Sequence, residues 1–231
     1  MLPQVALPKY ECVLPCSKVK LNYRPFMVKE EKLILLAMQE NDNKKISSAI
    51  KSVLESCTFG VKFDNIPQID IEYLFLQIRN KSMGEGVDVV STCVHCEKVN
   101  NMMLDLSKVE VVFPSKQISD VIQVSENLWV KMRLPNIDEA YKLNDITPEQ
   151  VTEIMASCVV SIIEGEKIID AKNHKQADLI NWIESLSEIN FNKIVEFMSN
   201  VPVMKFEQEY FCVHCREKNL ILLEGMESFF D

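Results

Sequence analysis

A four-residue string, Cys-Val-His-Cys, occurs twice in the chain and constrains its fold more than any other feature. The copies span residues 93–96 and 212–215. A C-x-x-C pair supplies two thiolates from one tight turn, and two such turns complete a tetrahedral zinc site. The predicted ligands of one structural zinc ion are Cys93, Cys96, Cys212 and Cys215. Such an ion would join the middle of the chain to its C-terminal segment.

Each cysteine pair lies between two apolar, strand-like segments, which is the context of the two knuckles of a zinc ribbon. A site with four protein ligands has no open position, so we expect it to be structural rather than catalytic. The alternatives are two metal-free thiol pairs, local disulfides, or a redox C-x-x-C motif. Redox pairs usually open a helix, whereas polar residues follow both pairs here. We expect His95 and His214 to be exposed or to form hydrogen bonds near the sulfurs.

Composition excludes several functional classes. The chain has 231 residues, a formal net charge of −9 and only five glycines. With so few glycines it has no glycine-rich phosphate-binding loop. An acidic chain with dispersed lysines is repelled by nucleic-acid backbones, so a protein partner is favoured over nucleic acid.

The sequence also shows no signal peptide and no apolar run long enough to cross a membrane. We therefore expect a cytosolic protein without membrane contact. In a reducing compartment, paired cysteines are more often metal ligands than disulfides.

Hydrophobic periodicity predicts an α+β fold, in which a helical N-terminal part and a helical insertion surround an antiparallel β module with a discontinuous zinc-ribbon-like site. A hairpin is expected in the first 24 residues, followed by helices at 28–39, 45–57 and from about 70 to Gly84. Residues 87–134 read as β structure, 136–200 as helix, and 203–223 as β structure again. The predicted domains are 1–86, a zinc-linked β module of 87–135 with 203–231, and a helical insertion of 136–202.

Two local patterns support the later part of this organisation. Thr147 is placed as a helix N-cap, with Gln150 closing a capping box and Ile146 and Val151 forming a hydrophobic staple. The buried stripe of that helix is Val151, Ile154, Met155, Cys158 and Ile162. Near the end of the chain, we expect Met226, Phe229 and Phe230 to dock onto this chain or a neighbour.

No set of residues resembles a catalytic centre. Cys12 and Cys16 lack further ligands, and Cys57 and Cys158 fall on apolar helical stripes as buried thiols. His174 is the only histidine outside the two cysteine motifs, which leaves almost no candidate for a nucleophile–histidine pair. The acidic residues at predicted helix starts are explained by the helix dipole and by solvation; they are Glu30, Glu31, Asp70 and Glu72.

Several blocks together resemble one family. They are residues 23–32, residues 69–82, residues 191–202, the second cysteine pair and residues 224–230. In this order they are similar to the baseplate hub proteins of T-even-type (T-four-like) contractile-tailed bacteriophages. The resemblance implies a structural or assembly role in the tail, no enzymatic activity, and other baseplate and tail proteins as partners. It leaves open whether such a protein stays in the virion or acts only during assembly in the host cytoplasm, and whether it forms a homo-oligomer in the baseplate.

Two rival functions remain at the sequence level. Zinc ribbons are common in nucleic-acid-binding proteins and transcription factors, and a basic stripe beside the knuckles would favour that function. A thiol oxidoreductase is the other rival, and tightly held zinc would exclude it.

Overall fold

The structure is a computed structural model that describes residues 6–40, 42–116, 118–140 and 148–224. Its helices are α1 (Val28–Gln39), α2 (Asn43–Cys57), α3 (Gln68–Met83), α4 (Ile137–Ala140), α5 (Pro148–Ser157), α6 (Gln176–Glu184) and α7 (Glu188–Ser199). Its strands are β1 (Tyr10–Val13), β2 (Lys20–Tyr23), β3 (Gly86–Thr92), β4 (Val99–Asp105), β5 (Glu110–Val112), β6 (Val121–Ser125), β7 (Leu128–Met132), β8 (Val159–Glu164), β9 (Lys167–Asp170), β10 (Val203–Phe211) and β11 (Lys218–Glu224).

All strand pairs among the described residues are antiparallel, and they form four sheets. β1 pairs with β2, and β3 pairs with β4. β10 lies between β11 and β5, and the largest sheet has the order β6-β7-β8-β9. Helices together with antiparallel sheets confirm the predicted α+β class.

Helix α3 lies in the first of two apolar clusters. Its apolar residues point in nearly every direction, and Ile71, Leu74 and Ile78 have no exposed surface. The cluster also takes side chains from β1, β2, α2, β4, β10 and β11, so both cysteine-bearing hairpins pack on the same core. Gly84 follows the helix with φ of 94°, a conformation that glycine adopts without strain. The buried helix and its glycine end are both confirmed.

The prediction that acidic residues at helix starts are solvated was wrong for Asp70, which has no exposed surface. Its two carboxylate oxygens accept hydrogen bonds from the backbone N–H groups of Cys16, at 2.7 Å, and Ser17, at 2.8 Å. These bonds replace water and fix the β1–β2 turn to the first turn of α3. Glu30 and Glu72 are also buried, at 5% and 7% exposure.

The second apolar cluster lies between the four-stranded sheet and helices α5, α6 and α7. Its buried residues include Val130, Ile162 and Ile183. The β6–β7 hairpin, which the sequence pattern grouped with the zinc strands, pairs here with β8. The domain boundaries drawn from the sequence stay a prediction.

The prediction of helix over residues 136–200 was wrong for residues 159–170, which form β8 and β9. The β-branched run Val159-Val160-Ser161-Ile162-Ile163 favours a strand, and Gly165 with φ of 58° allows the tight turn into β9. Ile162 lay at helical spacing from Cys158 and was therefore assigned to the wrong element. Short apolar runs do not distinguish a buried helix from a strand by periodicity alone.

Two arginines, Arg24 (buried) and Arg133 (half-buried), anchor the two clusters in the same way. The backbone N–H of Arg24 donates to the carbonyl of Cys57 at 3.0 Å, and its guanidinium pairs with Glu30 at 2.7 Å. The backbone N–H of Arg133 donates to the carbonyl of Cys158 at 2.9 Å, and its guanidinium pairs with Glu139 at 2.6 Å. Each arginine thus joins the end of a hairpin to the start of one helix and the end of the next.

Two sets of sequence predictions fall outside the described residues. They are the helix start at Ile146 and Thr147, and the docking of Met226, Phe229 and Phe230. Among the residues that are described, no helix has the length and apolar character needed to cross a membrane.

Candidate metal centre

Both Cys-Val-His-Cys motifs form tight turns at the tips of antiparallel hairpins, which we call knuckle 1 (residues 93–97, between β3 and β4) and knuckle 2 (residues 212–216, between β10 and β11). In knuckle 1 the N–H of Cys93 donates to the carbonyl of Lys98 at 3.0 Å, and Cys212 makes the same bond to Glu217 at 3.0 Å. Glu97 and Arg216 take positive φ values of 57° and 62°. The two turns therefore share one backbone conformation.

The four cysteine sulfurs converge between the knuckles. The Sγ atom of Cys93 lies 3.7 Å from that of Cys215, and the Sγ atom of Cys96 lies 3.6 Å from that of Cys212. All four sulfurs lie within 4.8 Å of one another. A disulfide would need about 2.05 Å, whereas four sulfurs about 2.3 Å from a tetrahedral zinc ion are about 3.8 Å apart. The arrangement fits a metal ion and could hold one.

Backbone donors already surround these sulfurs. Cys93 and Cys212 are each 1% exposed, and Cys96 and Cys215 are half-buried. The N–H of His95 lies 3.4 Å from the Sγ atom of Cys93, and that of His214 lies 3.4 Å from the Sγ atom of Cys212. Backbone N–H groups of Cys215 and His214 lower the pKa of Cys212 to about 6. One thiolate is therefore favoured even at neutral pH.

Four thiolates cannot all form in this space without a cation. The N–H of Glu217 lowers the pKa of Cys215, but burial and the sulfurs of Cys96, Cys93 and Cys212 outweigh it and raise that pKa to about 12. Adjacent negative sulfurs repel one another, so the last thiols keep their protons. A divalent cation would remove this repulsion and allow all four sulfurs to ionise.

Two buried asparagines join the knuckles, and sequence reasoning missed this role. Asn219 accepts a hydrogen bond from the N–H of Val94 at 3.0 Å, while Asn100 accepts one from the N–H of Val213 at 2.9 Å. Each amide nitrogen donates to a backbone carbonyl of its own hairpin, Asn100 to that of Lys98 at 3.0 Å and Asn219 to that of Glu217 at 2.9 Å. The signal was present in the sequence, because both copies extend to the eight-residue pattern C-V-H-C-x-x-x-N.

His95 and His214 lie on the outer side of the contact between the two knuckles. Both are exposed, and Nε2 of His95 lies 3.2 Å from the carbonyl oxygen of Lys218, while Nε2 of His214 lies 3.2 Å from that of Val99. A carbonyl oxygen only accepts, so Nε2 carries the proton in both rings. Their exposure confirms the sequence prediction, and their hydrogen bonds to the opposite hairpin add a role to it.

Every contact across the junction is reciprocal. The sulfur, asparagine and histidine contacts each occur twice with the knuckles exchanged, which describes a local twofold axis. Where the two hairpins approach each other below the knuckles, the hydroxyl oxygens of Ser91 and Tyr210 lie 3.1 Å apart. This symmetry makes the two C-x-x-C turns equal contributors to one site.

The remaining cysteines are buried or half-buried thiols in the described part of the chain. Burial raises the pKa of Cys12 and Cys57 to about 11 and that of Cys158 to about 12. Such thiols are poor nucleophiles because the reactive form is the thiolate. Cys93, Cys96, Cys212 and Cys215 are the only metal-compatible cluster that the described residues form.

Comparison with known proteins gives one match. A family model described as "T4 bacteriophage base plate protein" matches residues 7–231. No curated protein and no solved structure matches the chain.

Proposed function

The chain belongs to the T4 bacteriophage base plate protein family, and from this premise we propose that it forms or assembles the baseplate hub through protein–protein contacts and catalyses no reaction. The observation that carries the proposal is the length of the match, which runs from residue 7 to residue 231. Membership makes the chain a structural component of a phage baseplate and implies a location in the tail. The hub role goes beyond the family and is the part to be tested.

The metal in this proposal is one structural zinc ion, held by Cys93, Cys96, Cys212 and Cys215. The sulfur separations of 3.6 and 3.7 Å suit tetrahedral thiolate ligation. Bound zinc would supply charge compensation and a rigid link between two hairpins. Because all four positions are taken by protein, the site offers no place for a substrate.

Helix α1 provides the surface that best suits a protein partner. Val28, Leu35 and Leu36 are 65%, 52% and 60% exposed. Their spacing places them on one side of the helix, opposite the buried Glu30 and Ala37. We define Val28, Leu35 and Leu36 as the α1 face. An apolar helix face of this kind is suited to packing in a groove of another protein.

Charges around the knuckles favour a protein partner over nucleic acid. Exposed Lys98, Arg216 and Lys218 alternate with exposed Glu97 and Glu217, so both signs are mixed. The whole chain carries a net charge of −9. Strong phosphate binding needs a concentrated positive surface. DNA binding that weakens steeply with added salt would instead support the zinc-ribbon transcription-factor alternative.

Affinity purification from infected cells tests the hub role. The tagged chain replaces the phage copy, and captured proteins are cross-linked and identified by mass spectrometry. We expect proteins of the baseplate centre to be recovered, and we expect deletion of the chain to stop tail assembly. Intact tails after deletion, with no tail protein recovered, would contradict the proposal.

A second measurement separates a virion component from an assembly factor. Purified phage particles are analysed by quantitative mass spectrometry for this chain. Recovery at a fixed ratio to other tail proteins is expected for a hub component. Recovery only from infected-cell lysate would restrict the role to assembly in the host cytoplasm.

A further inference from the structure

The two cysteine hairpins have the same register. In the first hairpin Gly86 pairs with Asp105, and in the second Lys205 pairs with Glu224. Both residues of the second pair lie 119 positions after their counterparts (205 − 86 and 224 − 105), and the two cysteine motifs have the same offset (212 − 93). Each residue of the β10–β11 hairpin can therefore be compared with one residue of the β3–β4 hairpin.

The outer faces of the two hairpins differ in composition. Alternation along β10 and β11 turns Phe211, Leu220 and Leu222 away from the apolar core, and they are 70%, 54% and 49% exposed. We define these three residues as the β10–β11 face. The first hairpin has polar Thr92 and Asn101 at the positions of Phe211 and Leu220. The cluster of large apolar residues thus belongs to the second hairpin, and such a cluster at exposed positions indicates a contact surface.

The charges around the β10–β11 face are predominantly negative. Two lysines on this side of the sheet form ion pairs, Lys205 with Glu207 at 3.3 Å and Lys218 with Glu209 at 2.5 Å. Carboxylates outnumber them by two, because the acidic residues on this side are Glu110, Glu207, Glu209 and Glu224. A partner for this surface should therefore combine apolar side chains with positive charge.

Helix α1 has this complementary chemistry. It exposes lysines but no carboxylate, because Glu30 is buried and Glu31 is half-buried. Lys32 is exposed and lies one turn from both Val28 and Leu36, so a positive charge stands within the apolar stripe. Pairing α1 with a second α1 would bring lysine-bearing stripes together, whereas the sheet supplies carboxylates.

The two surfaces also agree in length. Val28 and Leu36 are eight residues apart, which is about 12 Å along a helix. Phe211 pairs with Lys218, and Leu222 lies four residues further along β11, or about 14 Å along the strand. A helix lying along these strands would cover the whole β10–β11 face.

We propose that the β10–β11 face of one chain binds the α1 face of a second copy of the chain. The inference rests on the proposed function of α1 as a contact surface and names its partner. Lys32 of one copy lies among the carboxylates of the other, and the apolar side chains of both faces leave water together. Because the two faces differ, the contact is heterologous, and its repetition closes a ring when the rotation between copies permits.

Mixing two complementary variants tests this head-to-tail contact. The helix variant is Leu35→Glu with Leu36→Glu. The sheet variant is Phe211→Thr with Leu220→Asn, which gives the second hairpin the residue types of the first. Analytical ultracentrifugation should show that the original chain associates as its concentration rises, and that each variant alone associates about tenfold more weakly or less. An equimolar mixture should form a dimer and nothing larger, because each variant retains one intact face.

The matched control is Val90→Glu, which places on the first hairpin the residue type found at the equivalent position, Glu209. It should associate like the original chain, and circular dichroism melting checks that every variant is folded. An original chain that stays monomeric at its highest soluble concentration would overturn the proposal. A mixture of the two variants that stays monomeric would overturn it as well.

The result is separable from that for the hub role. If the chain stays monomeric but captures a different tail protein through the α1 face, a second copy is not the partner and the hub role stands. If the chain associates with itself as expected but no tail protein is recovered from infected cells, the hub role fails and the contact between copies stands.

Discussion

At the scale of single residues, the knuckle sulfurs should decide whether the chain folds. We predict one zinc per chain by elemental analysis, and loss of zinc in Cys93→Ser and in Cys212→Ser. The affinity of structural zinc is a folding free energy, of about 10 kcal/mol or more in small zinc domains. Each substitution should therefore lower the midpoint of thermal unfolding strongly, as measured by circular dichroism.

The control for this prediction is Cys16→Ser. Cys16 is half-buried and lies in the β1–β2 turn, away from the sulfur cluster. Its substitution should keep one zinc per chain. A metal-free chain that unfolds at the same temperature as the zinc-loaded chain would contradict the ligand assignment.

The two asparagines provide a finer test of the junction. Asn219→Ala removes the acceptor for the N–H of Val94 and the donor to the carbonyl of Glu217. We expect a loss of about 1–3 kcal/mol for the unpaired groups, and zinc affinity lower by about 10–100-fold. Competition with a chromophoric chelator measures the affinity. Asn101→Ala, on an exposed neighbour of Asn100, should leave it unchanged.

Glu30 gives a prediction for acid stability. Burial alone would raise its pKa, but hydrogen bonds from Arg24, the N–H of Met27 and Ser56 lower it from 4.5 to about 2. The ionised carboxylate thus stabilises the folded chain above about pH 4.5. This contribution is lost as the pH falls toward 2.

The variant Glu30→Gln should therefore be less stable than the original chain by about 3–5 kcal/mol at pH 7, because Arg24 loses its buried partner. The difference should shrink as the pH falls from about 4.5 toward 2. Denaturant unfolding at several pH values measures it, and Glu31→Gln is the control. Acid release of zinc affects all these chains alike, so a constant difference at every pH would refute the prediction.

Residue-level prediction from the sequence succeeded where the signal was local. Two C-x-x-C turns identify the cysteine cluster without any knowledge of the fold. The repeated asparagine marks Asn100 as a position shared by both motifs, but neither its partner nor that of Asp70 is predictable locally, because each side chain binds a backbone group distant in sequence. From sequence alone, a polar residue next to a turn is predicted to face solvent, because its tertiary partner is not known.

At the scale of elements, helix α1 is the part we expect to contact another tail protein. The double variant Leu35→Glu with Leu36→Glu places charges on the α1 face. Because both residues are more than half exposed, stability should change by only about 0.5 kcal/mol. Co-purification with tail proteins and rescue of tail assembly should be lost.

The control for the double variant of α1 is Ser48→Glu, a substitution at an exposed position of α2. It adds charge away from the α1 face and should support assembly as well as the original chain. If the α1 variant also assembles tails normally, the partner binds elsewhere.

Element prediction worked best for elements with a long, regular pattern. The spacing in α2 and the alternation in β7 are each confirmed within a few residues. It failed at β8, where a β-branched run follows the helical stripe of α5 with no glycine, proline or charged residue between them. The choice between helix and strand was decided there by pairing with β7, which is a long-range contact.

At the scale of the whole molecule, the two apolar clusters should respond differently to metal removal. Both cysteine hairpins pack on the first cluster, while Trp129 and Trp182 belong to the part of the chain that forms the second. A strong chelator should expose the first cluster to hydrogen exchange while tryptophan emission changes little. If the chelator changed tryptophan emission at the same time as it exposed the first cluster to hydrogen exchange, the two clusters would unfold as one unit.

Long-range organisation was the part least accessible from the sequence. The pattern of residues 121–132 is that of a hairpin whether it joins the zinc strands or β8, so the sequence could not assign its sheet. The family was recognisable because blocks along the whole chain kept their order. Its match over residues 7–231 confirms that resemblance.

The division of the sulfur cluster between two distant hairpins has a consequence during synthesis. A ribosome that has just added Cys96 must still add the residues up to Cys215 before the other two sulfurs exist. At about 5–20 residues per second this takes roughly 6–24 s. Throughout that interval the nascent chain carries only half of a metal site. The four-sulfur site therefore forms only after Cys215 has been added, and a product that terminates before this residue cannot form it.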